Sequence, residues 1–229
     1  HALKVRRIER TGNEETRGKH LMQISDVHIG SRRSGFLKRI AARITAEHPS
    51  AVFITGDLVD ARGISIDELA PLGQLGAPTY FTTGNHERYE DHEDILERLS
   101  ALGIRVLRNE SVDAHPFQLV GIDDADAYDT VKNALAGIEP IPDRTRVLLY
   151  HRPNGAEDAS AWGADVMLTG HTHHGQIYPF NFLVKRMFPR TKGSHDVGGM
   201  LLHVCPGTGT WGPFLRLGSR CEITSLRFI

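Results

Sequence analysis

The residues best able to do chemistry in this chain fall in five short clusters, each directly after an apolar run. Gly170-His171-Thr172-His173-His174-Gly175-Gln176 follows Val166-Met167-Leu168, and Asp26-Val27-His28 follows Met22-Gln23-Ile24-Ser25. Gly56-Asp57-Leu58-Val59-Asp60 follows Val52-Phe53-Ile54-Thr55, and Gly84-Asn85-His86-Glu87 follows Thr79-Tyr80-Phe81-Thr82-Thr83. His151 follows Val147-Leu148-Leu149-Tyr150. A short apolar run that stops at a turn reads as a buried strand. Imidazoles, carboxylates and an amide therefore gather at strand ends, and these are ligand types for hard and borderline metals. His171 and His173 stand two apart, so in extended chain they are expected to point to one side and converge on one point. A lone His-x-His is as well read as two solvated loop residues. Five strand ends of this kind in one chain point to metal-dependent chemistry.

The elements that must position these residues follow from periodicity. Residues 3–9 alternate and predict an edge strand. Phe36, Leu37, Ile40, Ala41 and Ile44 recur at helical spacing ahead of Pro49, and residues 66–75 predict a helix closed by Gly76. Ile95, Leu96, Leu99 and Leu102 mark an amphipathic helix stopped by Gly103. This alternation with strands predicts a largely parallel sheet. From residue 105 the pattern changes to short strands at 105–107, 111–114 and 117–122, with helices near 129–136 and 156–162. Strands at 199–205 and 221–229 close the chain. No repeat or linker divides it, so the expectation is a single domain over residues 1–229, with two sheets face to face and helices outside.

The chain has 229 residues, a formal net charge of −1 and 13 histidines. Near-neutral charge argues against non-specific nucleic-acid binding, and no apolar run approaches a membrane span. Cys205 and Cys221 lack Cys-x-x-Cys spacing; two buried free thiols and one disulfide in an exported protein both fit. The chain begins at His1 rather than Met and is expected to be a fragment or a processed product. It shows no signal peptide. A membrane span ahead of His1 would make the protein membrane-associated; otherwise a cytoplasmic location is expected.

The ordered set Asp26/His28, Gly56-Asp57-Leu58-Val59-Asp60, Gly84-Asn85-His86-Glu87, His151 and Gly170-His171-Thr172-His173 resembles the calcineurin-like metallophosphoesterases. Tyr150-His151-Arg152-Pro153, the run from His171 to Gln176, and Gly207-Thr208-Gly209-Thr210-Trp211-Gly212-Pro213 with Arg216 further resemble bacterial members that act at membranes. The resemblance implies an α/β fold, a four-layer α/β/β/α sandwich of two mixed sheets flanked by helices. It implies two metal ions, divalent or mixed-valence (manganese, iron or zinc), bridged by Asp57. Asp26, His28 and His173 would complete one site, and Asn85, His151 and His171 the other. Two carboxylates facing two cations leave excess positive charge, which gives hydroxide near neutral pH and attracts phosphoryl oxygens. His86 is implied to stabilise the attacked phosphate or protonate the leaving oxygen. Asp60 is implied to orient His86, its alternative being a helix N-cap. Glu87 receives no role. Arg62 stands one residue past the position where some relatives bind phosphate, and His174, where commoner relatives carry Gly, is either a substrate contact or an exposed bystander.

The implied reaction is hydrolysis of a phosphodiester or pyrophosphate bond in a small or lipid-linked substrate. The rivals are a nuclease, which the neutral charge and the lack of an aromatic–basic groove disfavour, and a non-catalytic metal-binding module, which the filled ligand set disfavours. Residues 178–192 remain. Phe180, Leu183, Val184, Met187 and Phe188 share one face of a short helix. Lys185 and Arg186 lie opposite, with Arg190 and Lys192 beyond, and no acidic residue occurs from Val166 to His195. Either the apolar face packs on the core, or Tyr178 to Lys192 form a lip beside the site that contacts an anionic membrane surface or a lipid-linked phosphate.

Overall fold

The central strands are buried at every position, and side chains alternating between their two faces create the layers. In the computed structural model, which describes residues 3–30, 35–90 and 92–229, the elements run as follows. The first half contains β1 (Lys4–Arg10), β2 (His20–Ile24), α1 (Gly35–Thr45), β3 (Ala51–Thr55), α2 (Ile66–Leu69), β4 (Thr79–Thr82), α3 (Asn85–Tyr89), α4 (His92–Ala101) and β5 (Arg105–Val106). Then come β6 (Glu110–Ala114), β7 (Phe117–Gly121), α5 (Thr130–Leu135), β8 (Thr145–Leu149), α6 (Ala156–Trp162) and β9 (Val166–Thr169). The chain closes with α7 (Phe180–Met187), β10 (Gly193–Val197), β11 (Met200–Val204) and β12 (Glu222–Phe228).

One sheet has the order β1-β12-β2-β3-β4-β5 and the other β10-β11-β9-β8-β7-β6. Both are mixed: β12/β2, β10/β11 and β6/β7 are antiparallel, and the remaining pairs are parallel. Alternate residues feed different cores. In β3, Phe53 faces the core between the sheets, with Leu119, Val147, Leu149 and Leu168. Val52 and Ile54 face α1 and α4 instead. In β8, Leu148 turns from the inner core toward α5 and α6. Three apolar layers thus separate four layers of structure, the α/β/β/α sandwich.

Some elements depart from the sequence reading. The helix expected over 66–75 is a single capped α-turn followed by a 3₁₀ turn, Ala70–Gln74, that Pro71 helps to open. Strand β10 is absent from that reading; it forms a hairpin with β11 around Gly198 and Gly199, both at positive φ. Helix α7 has no buried residue, so its apolar face does not pack on the core. Among the described residues, no helix is long and apolar enough to cross a membrane. Cys205 and Cys221 are both buried and free.

Phe53 is fully buried between the sheets and packs on Tyr80. Phe53→Ala is expected to lower unfolding stability by about 3–5 kcal/mol, read as a shift of the urea midpoint at unchanged slope.

Candidate metal centre

The carboxyl ends of parallel strands from both sheets meet at one edge, the usual place for a site in sheets of this kind. Three groups of ligand atoms gather there, each within 4.8 Å: Asp26 with His28 and His173, His28 with Asp57 and His86, and Asp57 with His151 and His171. β2 delivers Asp26 and His28, β3 delivers Asp57, and β8 and β9 of the other sheet deliver His151, His171 and His173. Gln23 ties the sheets behind the site, donating to Thr55 Oγ1 at 2.8 Å and to the Thr169 carbonyl at 2.9 Å.

Asp57 lies between the groups. Its Oδ2 is 3.2 Å from His151 Nε2 and 4.0 Å from His28 Nε2. Elsewhere nitrogen faces nitrogen: His28 Nε2 lies 3.0 Å from His173 Nε2, and His151 Nε2 lies 3.2 Å from His171 Nδ1. Asn85 Oδ1 is buried without a hydrogen-bond partner. Buried acceptors are rarely left unpaired. An orphaned amide oxygen, with the converging imidazole nitrogens and two carboxylates, is a donor set that fits cations with mixed N and O ligands.

The surrounding hydrogen bonds aim these atoms. His151 Nδ1 donates to the Thr55 carbonyl at 2.8 Å, which turns Nε2 toward the centre. Both oxygens of Asp26 accept the His171 backbone N–H, at 3.0 and 3.1 Å. Asp57 Oδ1 accepts the His86 backbone N–H at 2.9 Å. Glu87, without a role in the sequence reading, is fully buried and accepts the backbone N–H groups of Asp57, Leu58, Val59 and Gly84 at 2.7–3.1 Å. Burial and the Asp57 charge push the Glu87 carboxyl up to about 7; the amides oppose this, and only the ionised form accepts all four.

Arg216 is the second contributor without an assigned role. Its buried guanidinium donates to the carbonyls of Gly209 and Pro206 and, at 3.1 Å, to His173 Nδ1. The loop it holds braces the Asp26 turn: Thr208 N–H donates to the Ser25 carbonyl at 2.7 Å, and Gly209 N–H to the Asp26 carbonyl at 2.8 Å. The signal was available in the sequence as the Gly207-to-Pro213 run followed by Arg216, but no sequence rule connects it to residue 26.

The backbone is bent where the ligands sit. Asp26, His28, Asp57, His171 and His173 have φ of 53°, 55°, 51°, 70° and 47°, a region that costs non-glycine residues about 1–3 kcal/mol and clusters at functional sites. The extended-chain expectation for His171 and His173 therefore fails: positive φ at both turns them apart, His173 to Asp26 and His28, and His171 to Asp57 and His151. Close approach also explains two glycines. A Cβ at Gly84 would collide with the Asp57 carboxylate, and one at Gly170 with the side chains of Ser25 and Asp26.

Burial, aided by the His173 charge, lowers the pKa of His28 to about 3, and burial with the His151 charge lowers that of His171 to about 4. Both are neutral imidazoles at physiological pH, as ligation requires. Burial works to raise the carboxyls of Asp26 and Asp57, yet His173 beside the first and His151 beside the second hold both well below the usual carboxylate range. Burial disfavours a charged His151, but Asp57 prevails and pushes it up to about 10.

Other expectations meet a mixed outcome. The half-buried His86 ring stands edge-on to His28 with centroids 4.8 Å apart, at the margin of the ligand set. The sequence reading gives Asp60 to His86; the structure also sets its Oδ2 3.6 Å from Nδ1 of His28. The reason is the parallel β-bridge of Ile29 and Val59, which lays the two turns side by side. His174 is not an exposed bystander. It is buried, with Nδ1 2.9 Å from Thr191 Oγ1. Arg62 is exposed and pairs with Glu90 at 3.5 Å.

Comparison with known proteins agrees with this geometry. The family model for the calcineurin-like phosphoesterases matches residues 19–175. A transmembrane protein with metallophosphoesterase domain from Danio rerio is 35% identical over 93% of this chain and 54% of its own length. An uncharacterized metallophosphoesterase from Campylobacter jejuni is 29% identical over 90% of this chain and 58% of its own. The chain thus spans little more than half of each. Among solved structures, the phosphopantetheinyl hydrolase of Mycobacterium tuberculosis shares the fold, with a TM-score of 0.53 at 12% identity over 83% of this chain and 89% of its own.

Because Asp57 stands in two ligand groups, Asp57→Ala is expected to abolish binding at both ion sites, read by metal analysis of the folded protein. Full retention of one ion at unchanged affinity would remove Asp57 from the bridge. Arg216→Ala is expected to weaken metal affinity about 10–100-fold, the usual effect of losing an outer hydrogen-bond partner, by titration calorimetry on protein of unchanged circular dichroism.

Proposed function

Since the chain belongs to the calcineurin-like phosphoesterase family, hydrolases of phosphoester bonds, we propose that it cleaves phosphodiester or pyrophosphate bonds at a centre of two metal ions. The observation that carries this reading is the shared place of Asp57 in two ligand groups. Asp26, His28 and His173 would hold one ion with Asp57; Asn85, His151 and His171 would hold the other with it. Manganese, iron or zinc suits this mixture of nitrogen and oxygen. When bound, the ions supply ionised water near neutral pH and positive charge for the phosphoryl oxygens.

The chain's own residues do the rest. His86 is tied by its backbone to Asp57, which fixes it beside the ions, while its half-buried ring keeps access to an incoming substrate. It stabilises the attacked phosphate or donates a proton to the leaving oxygen. Asp60 adds a carboxylate 3.6 Å from His28 Nδ1, behind the face that His28 turns to the centre. Glu87 fixes the Asp57 turn through four amides, so the bridging carboxylate needs no rearrangement during turnover. Arg88 and Arg152 both pair with the buried Asp124, at 2.7 and 2.6 Å, and lock the start of α3 to the segment after His151.

The test of the reaction is hydrolysis of an aryl phosphodiester with added manganese. Activity should appear with the metal and vanish on chelation; activity indifferent to the chelator would sink the proposal. His86→Ala is expected to reduce turnover about 10²–10⁴-fold with both ions retained. A loss that shrinks for a better leaving group assigns His86 as the acid, and an equal loss assigns charge stabilisation. Loss of an ion would make His86 a ligand.

A further inference from the structure

Helix α7 leaves its apolar face exposed, the second of the two outcomes that its spacing allowed. On that face Phe180, Leu183 and Met187 are 61%, 56% and 67% exposed, and Phe182 outside it is 60% exposed. Beside it runs a strap, residues 211–217, in which Phe214 and Leu217 are 59% and 55% exposed. The two are joined: Tyr178 N–H donates to the Leu217 carbonyl at 2.9 Å, and the Gln176 amide donates to the carbonyls of Trp211 and Pro213 at 2.8 and 3.1 Å. Large apolar side chains gathered over such an area mark an interaction surface.

Both segments run directly into a cavity of about 720 Å³ lined by Lys4, Arg6, Lys192 and Arg220, with the backbone turn Gly218-Ser219 at its rim. Its one carboxylate, Glu222, has its side chain 14% exposed and lies 3.5 Å from His203. Among the described residues, none of the four cations forms an ion pair, whereas Arg190 is paired with Glu157. Lys185 and Arg186 add charge along α7. The same face meets the metal centre, since the Phe188 ring packs on His171 with centroids 5.3 Å apart and Arg216 of the strap reaches His173.

We propose that this face seats on an anionic phospholipid bilayer, with α7 and the strap in the headgroup–acyl boundary and the cationic cavity on a lipid phosphate. Aromatic and aliphatic groups beside unpaired Lys and Arg are the composition that an anionic interface selects. Charge decides against a second copy of the chain, because a two-fold contact would bring one cationic face against another. The seating is independent of the reaction assigned above and is measured without it.

The experiment is co-sedimentation of the chain with vesicles of phosphatidylcholine mixed with phosphatidylglycerol, and with vesicles of phosphatidylcholine alone. Binding is expected to the mixed vesicles, to weaken with added salt, and to be far lower on the neutral ones. Each basic residue near an anionic surface changes partitioning about fivefold, so Lys192→Glu with Arg220→Glu should reduce binding by at least about tenfold. Phe182→Ser with Met187→Ser should reduce it on the same vesicles by a salt-independent factor. Both variants should hydrolyse a soluble aryl diester as the parent does, which separates failure of the seat from failure of the reaction. No binding by the parent, or binding unaffected by both variants, overturns the proposal. So does a concentration-dependent dimer lost in the apolar variant without vesicle binding.

Discussion

One buried carboxylate organises the centre. Asp57 turns an oxygen toward imidazoles from both sheets, and its position is set by the amide donated from His86 and by the Glu87 carboxylate that gathers the amides of its own turn. Two like-charged carboxylates this close to each other and this deep would repel. They are held ionised because imidazoles compensate them, and bound cations would do so more strongly. Glu87 shows the reverse balance, since burial and the Asp57 charge outweigh the amides of Gly84 and Val59 and the charge of His151.

Such a centre needs two sheets. A single parallel sheet brings ligands to one edge in a row, whereas face-to-face packing lets β2 and β3 oppose β8 and β9. The apolar core between the sheets sets their separation, and Gln23 carries the link across behind the site. The bent backbone at the strand ends is the cost of aiming short side chains at one point. Braces from elsewhere, the segment after β11 and the Arg216 guanidinium, hold that bend in place.

The segment after His174 is spent differently. It adds nothing to the core, and its neighbours in space are the strap and the cationic cavity. A chain rarely leaves so many large apolar side chains in water beside uncompensated cations without a surface to cover them. Its contact with His171 places whatever it seats on next to the metal centre.

The sequence by itself determined the class of fold and the membership of the site. Apolar runs identified the strands and placed metal-ligand residue types at their ends, because periodicity and side-chain chemistry are local properties; the set Asp26, His28, Asp57, Asn85, His151, His171 and His173 was what the family resemblance implied. Their division into two sets was implied by the family resemblance, and only the tertiary structure gives its physical cause. His171 and His173 separate because positive φ overrides the alternation of an extended chain. Asp60 stands behind His28 because the bridge of Ile29 and Val59 joins turns far apart in sequence. Glu87 and Arg216 gain their roles from amides and an imidazole supplied by other segments. The fate of α7 was undecidable from its spacing, since a helix with one apolar face looks the same whether protein or solvent lies against it, and that depends on where the surrounding chain goes.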